Sequence, residues 1–176
     1  MVLAGNSLKI YEGIIIVFYI IALIIVFYNK PRGIKLNKNL LLSDLLFTVG
    51  MMVLAIVLSS LAAFLGFLKP RIALSIKEAL FTILLLALII APAEEIIFRG
   101  IIGEWIKNRW GITTSILLTS VIFGLIHLPK GIVFSIMAGI GGLFFSIIYF
   151  NTSSIINPII THSILGWLYF LFLKGP

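Results

Sequence analysis

The chain has 176 residues, 61% of them hydrophobic and 11% charged, with a mean hydropathy of +1.24. Soluble domains run at roughly 45–50% apolar and about 25% charged, so this composition excludes an ordinary water-soluble fold and describes an integral membrane protein. The absence of cysteine excludes disulfides, thiolate catalysis and Cys-ligated metal, and the net charge of +7 sits on short loops that report topology and anionic-lipid contact, giving no reason to assign a nucleic-acid partner.

Apolar runs of spanning length recur along the chain. A bilayer asks for about 20 apolar residues per span, which predicts an all-α fold: one polytopic transmembrane helical bundle over 1–176, with about six spans. The first span is expected at Ile14 to Tyr28 as an uncleaved anchor, since no small-residue cleavage site follows it. Lys30, Arg32, Lys35 and Lys38 then place the following loop in the cytoplasm, whereas Lys69, Arg71 and Lys77 argue for the opposite orientation, and sidedness stays open. A second run covers Leu40 to Leu68, with Ser43 and Asp44 expected as helix-end capping residues.

A long third helix is predicted from near Ser75 to Trp105, closing on Lys107, Arg109 and the interface anchors Trp105 and Trp110. The fourth spans Ile112 to Leu128 and stops at Pro129. In the fifth, Ile132 to Phe150, the small residues Ala138, Gly139, Gly141 and Gly142 suit close helix contact. Asn151-Thr152-Ser153 matches a glycosylation sequon but lies between two spans and reads as a turn. The sixth runs from Ile155 to Leu173, where Asn157 followed by Pro158 reads as a cap and a first helical position, so this helix is expected to begin at depth.

Glu94, Glu95 and Arg99 interrupt the third helix, and His127 and His162 lie inside the fourth and sixth. Insertion scales charge about +2.5 to +3.5 kcal/mol for an Asp, Lys or Arg at a helix centre, so such groups need partners, a wet cavity or a chemical task. Four residues apart on a helix, Glu95 and Arg99 can pair, either as a structural ion pair or as support for a site. Glu94 is rotated about 100° from that pair and is left without an obvious local partner, which suits a general base. Pro92 removes a backbone hydrogen bond, freeing the Leu88 carbonyl and opening a kink before the acids. Phe123 stands one turn before His127, positioned to orient its imidazole. At 1.5 Å per residue, Glu94, His127 and His162 fall roughly 18, 24 and 10 Å from the nearer membrane face, so convergence requires tilt, a kink or a late start to the last helix.

The order Glu-Glu-x-x-x-Arg at 94 to 99, Phe-x-x-x-His at 123 to 127 and a final His162 on the last span resembles the CAAX protease and bacteriocin-processing family, also called the Abi family. The resemblance covers about 81–173. It implies an intramembrane endopeptidase like the type II CAAX prenyl endopeptidase, acting on a lipidated peptide or bacteriocin-like substrate in the membrane of a prokaryotic cell. In that family the first Glu and first His activate water, while the second His and a polar residue four positions later stabilise the oxyanion. Here that later position is Gly166, which has no donor, and Asn157 is its substitute only if the segment bends at Pro158.

Three functions remain open on these residues. The first is hydrolysis by a water held between Glu94 and His127, with His162 facing the carbonyl oxygen and Glu95, Arg99, Phe123 and Asn157 in support. A zinc site built from Glu94, His127 and His162 has suitable ligand types but leaves only Glu95 as base, so a metal-free route ranks above it. The second is a non-catalytic membrane scaffold or bacteriocin-immunity protein using the same pocket for binding, which Gly166 favours. The third, a proton-coupled carrier, is weaker because the chain shows no internal repeat.

Overall fold

The computed structural model describes residues 38–66 and 76–172 of the chain. Those residues are helical, with no strand among them. Helix α1 is Lys38–Phe64, α2 is Ile76–Trp110, α3 is Ile112–Ile126, α4 is Ile132–Thr152 and α5 is Ile156–Phe172. The first expected span, Ile14 to Tyr28, lies outside the described residues. By length and composition α2 and α4 each suffice to cross a membrane, and α3 is a shorter apolar helix.

Two sequence expectations change at helix ends. Ser43 and Asp44 do not cap α1, because the helix already begins at Lys38 and carries both of them inside it. Asn157 does not cap α5 either: the helix starts at Ile156, and the Ser154 hydroxyl accepts the Asn157 amide at 3.4 Å, which makes Ser154 the capping side chain. Helix α2 ends at Trp110, a turn beyond Trp105, and the two indoles meet edge to face at 5.4 Å. The 151–153 segment is a helix end and turn, with Ser153 left-handed at φ 51°. Gly111 and Gly131, at φ 86° and 105°, occupy backbone conformations that side chains disfavour and allow the abrupt reversals on either side of α3.

Pro92 does not end α2. The turn before it, Leu86–Ile90, widens to π-helix, as does Ile96–Gly103 after the acidic pair. Proline lacks the amide for the i−4 bond and its ring presses on that carbonyl, and a π-turn absorbs both defects while keeping the chain helical.

Helix α3 shows what solvent the fold is built for. Leu117, Val121 and Leu125 face outward at 54%, 58% and 54% exposure, while Ser115, Thr119, Ser120 and His127 are buried. Water would select the reverse. Hydrocarbon selects this arrangement, because polar groups must find partners inside the bundle. Helices α3 and α4 can approach closely because Gly124 meets Gly139: a Cβ on Gly124 would stand 3.0 Å from the Ser135 carbonyl and 3.2 Å from the Gly139 Cα. The Ser135 hydroxyl donates to the Gly124 carbonyl at 2.7 Å across the same contact. We expect Gly124→Val to force the helices apart at a cost of about 1–3 kcal/mol, read as a lowered thermal midpoint of the detergent-solubilised protein. An unchanged midpoint would contradict this packing.

Candidate active site

The two carboxylates leave α2 in the short α-helical segment Ala91–Glu95 between its π-turns, and both are buried. Arg99 is buried completely one turn later. Its Nη1 donates to Glu95 Oε1 at 3.1 Å, its Nη2 to the Gly142 carbonyl of α4 at 2.7 Å, and its Nε to Ser146 Oγ at 3.3 Å. The guanidinium carbon also lies 4.9 Å from the Phe123 ring centroid and 5.4 Å from that of Phe145. A buried cation is tolerable here because hydrogen bonds and ring faces from three helices replace its hydration. Gly142 is required for that approach, since a Cβ would sit 3.4 Å from Arg99 Nη2 and 3.2 Å from Phe123.

His162 arrives from α5 and bridges the acids. Its Nδ1 donates to Glu95 Oε1 at 2.7 Å, and its Nε2 lies 3.5 Å from Glu94 Oε2. Glu94 therefore has an ionic neighbour from another helix, while none comes from the turn of α2 next to it. His162 is further held by Phe145, stacked at 4.7 Å and 13°, and by the edge of Phe123 at 5.8 Å.

His127 is bound differently. It ends α3, and its Nδ1–H donates to the Phe123 carbonyl at 2.7 Å while the ring lies 4.7 Å from Phe123 and 5.3 Å from Phe134. A carbonyl only accepts, so Nδ1 carries the hydrogen and Nε2 presents its lone pair. The Glu94 carboxylate is within Coulombic range of this ring. Phe123 thus orients both imidazoles as well as Arg99, more than the single contact expected of it. Asn157 is buried at the start of α5, five residues before His162, and continuous helix joins them, so the bend at Pro158 on which its substitute role depends is not present. The space beside Gly166 is taken by Leu86, whose Cδ2 stands 3.3 Å from where a Cβ would be.

Among the described residues no three His, Asp or Glu side chains are arranged to hold a metal ion, and His162 turns both ring nitrogens toward carboxylates. Arg99 and His162 converge on Glu95 Oε1, and Oε2 of the same carboxylate has no hydrogen-bond partner among the described residues. Sequence reasoning missed Ser146 and Phe145, and it read Gly142 only as helix packing. The available signal was a set of small hydroxyl residues inside apolar helices: Ser146 links Arg99 to Thr119 at 3.2 Å, and Thr119 continues to the Ser115 carbonyl at 2.7 Å.

A buried acid–imidazole cluster thus lies inside an apolar helical bundle. The chain matches the family described as Type II CAAX prenyl endopeptidase Rce1-like over residues 76–168, just over half its length, and it belongs to that family of integral membrane proteases. No curated protein and no solved structure matches it.

Removing Arg99 alone would strand Glu95 in the bundle. Arg99→Met is expected to cost about 3–5 kcal/mol in unfolding free energy, measured by denaturant titration in micelles, and adding Glu95→Gln should recover part of that loss. Wild-type stability of Arg99→Met would show that the pair does not hold the bundle.

Proposed function

We propose that this chain is an intramembrane endopeptidase, within a bundle of about six spans, that hydrolyses a peptide bond in a CAAX-type prenylated peptide or a bacteriocin-like peptide. The observation that supports this reading is the contrast between the two imidazoles: His162 is fixed between carboxylates, whereas His127 bonds only its own helix through Nδ1 and lies within Coulombic range of Glu94. A water held between Glu94 and His127 has an acceptor on each side. Glu94 takes its proton as the oxygen attacks the carbonyl carbon, and negative charge develops on the carbonyl oxygen. His162 faces that charge from α5 as its hydrogen-bond donor. Collapse of the intermediate breaks the C–N bond, and the proton held by Glu94 passes to the leaving amine. Glu95 and Arg99 keep His162 in place, Phe123 aligns both rings, and Asn157 supports the start of α5. The route uses no metal.

A second reading has its own observation. Leu86 fills the space where a residue-166 donor would project, so the oxyanion site has one donor fewer, a loss that typically costs about 10²–10³ in rate. That favours a slow enzyme, or a non-catalytic scaffold or immunity protein that binds peptide in the same pocket.

Purified protein should cleave a prenylated peptide, and Glu94→Gln and His127→Ala should each lower the rate by about 10²–10⁴-fold. Equal activity in all three proteins would remove the hydrolytic mechanism. Immunity to a bacteriocin that survives Glu94→Gln would select binding instead.

A further inference from the structure

We propose that Lys130 forms an anion subsite that holds the terminal carboxylate of the peptide, an assignment that rests on the endopeptidase reading. The turn carrying it is rigidly tied to His127. The Lys130 amide donates to the His127 carbonyl at 2.9 Å and the Gly131 amide to the Leu128 carbonyl at 2.9 Å, with Pro129 between them and Gly131 at φ 105°. The Lys130 ammonium lies 5.0 Å from the Phe134 ring centroid, and the same ring lies 5.3 Å from His127. Cation and imidazole thus share one aromatic neighbour.

Position distinguishes this lysine from the others. Arg99 is paired with Glu95, and Lys107 with Glu104 at 2.6 Å. Lys77 and Arg109 stand near the two ends of α2. Lys130 makes no ion pair among the described residues and is exposed at the His127 end of the site, within Coulombic range of Glu94. An exposed ammonium beside an aromatic face is open to an anionic oxygen group.

A peptide supplies such a group at its carboxyl end. In a CAAX segment that end lies three residues past the cysteine, or about 10 Å when extended, a distance a lysine beside the catalytic histidine can serve.

The test compares a farnesylated peptide ending in a free acid with the same peptide ending in an amide. Wild-type protein should favour the acid by about tenfold or more in kcat/KM, Lys130→Gln should bring the ratio close to one, and Lys130→Arg should restore most of it. Because the ratio is taken within each variant, a loss of folded protein cancels. An acid-to-amide ratio near one in wild type, or an unchanged ratio in Lys130→Gln, overturns the proposal. The same peptides, fluorescently labelled, are also bound to Glu94→Gln protein, which should hold the acid more tightly only while Lys130 is present. Absence of cleavage with this binding difference intact removes the endopeptidase reading and keeps the subsite. If phosphatidylglycerol vesicles, but not phosphatidylcholine vesicles, lose affinity for Lys130→Gln and the peptide ends are not discriminated, the anion is a lipid headgroup and the assignment fails.

Discussion

One alternating chain of charge governs this structure: the Gly142 carbonyl accepts from Arg99, Arg99 donates to Glu95, Glu95 accepts from His162, and His162 reaches Glu94. Each link answers the cost of the one before it. A lone carboxylate in hydrocarbon would be neutralised by protonation, and a neutral acid is a poor base. His162 reaches Glu94 through Nε2 while Glu95 anchors its far nitrogen. Glu95 in turn is held by a guanidinium that three helices have desolvated together.

The helices are shaped by that chain as much as by the bilayer. Helix α2 could have been a regular span, but it widens to π-helix on both sides of the acids, and π-turns advance side chains to angles that a 3.6-residue repeat does not offer. Helix α4 carries Gly142 and Ser146 one turn apart, presenting a bare carbonyl and a hydroxyl where larger residues would keep Arg99 away. The Gly124 and Gly139 contact brings α3 close enough for Phe123 to reach Arg99 and both histidines. Close packing of small residues, the usual basis of helix association in lipid, here also sets the distance between charges.

Much of this was legible in the sequence because its signals are local. The helical character of the described residues, the breaks at Pro129 and Ser153, and the Glu95–Arg99 pair all follow from spacing within one segment or from residues that cannot continue a helix. Helix starts were less legible: Asp44 and Asn157 are good caps by type, yet both lie inside their helices. That His162 belongs with Glu94 was legible from the motif order, but the contact itself was not: it comes from α5, 68 positions along the sequence, and no periodicity within α2 contains it. Ser146 was overlooked for the same reason, since a serine in an apolar helix acquires meaning only when the facing helix is known.

His127 and His162 show why residue type alone underdetermines chemistry. Both are imidazoles in apolar helices beside Phe123, and by sequence they are interchangeable. The backbone separates them. His162 sits mid-helix, where its own turn offers no free acceptor, so its nitrogens reach across to carboxylates and the ring becomes part of the charge chain. His127 ends its helix, and there its Nδ1–H bonds the Phe123 carbonyl one turn back. That local bond fixes the tautomer without any charged partner, leaving Nε2 as a neutral acceptor. One ring is thereby suited to stabilising negative charge and the other to holding a water, a division of labour that follows from where each helix stops.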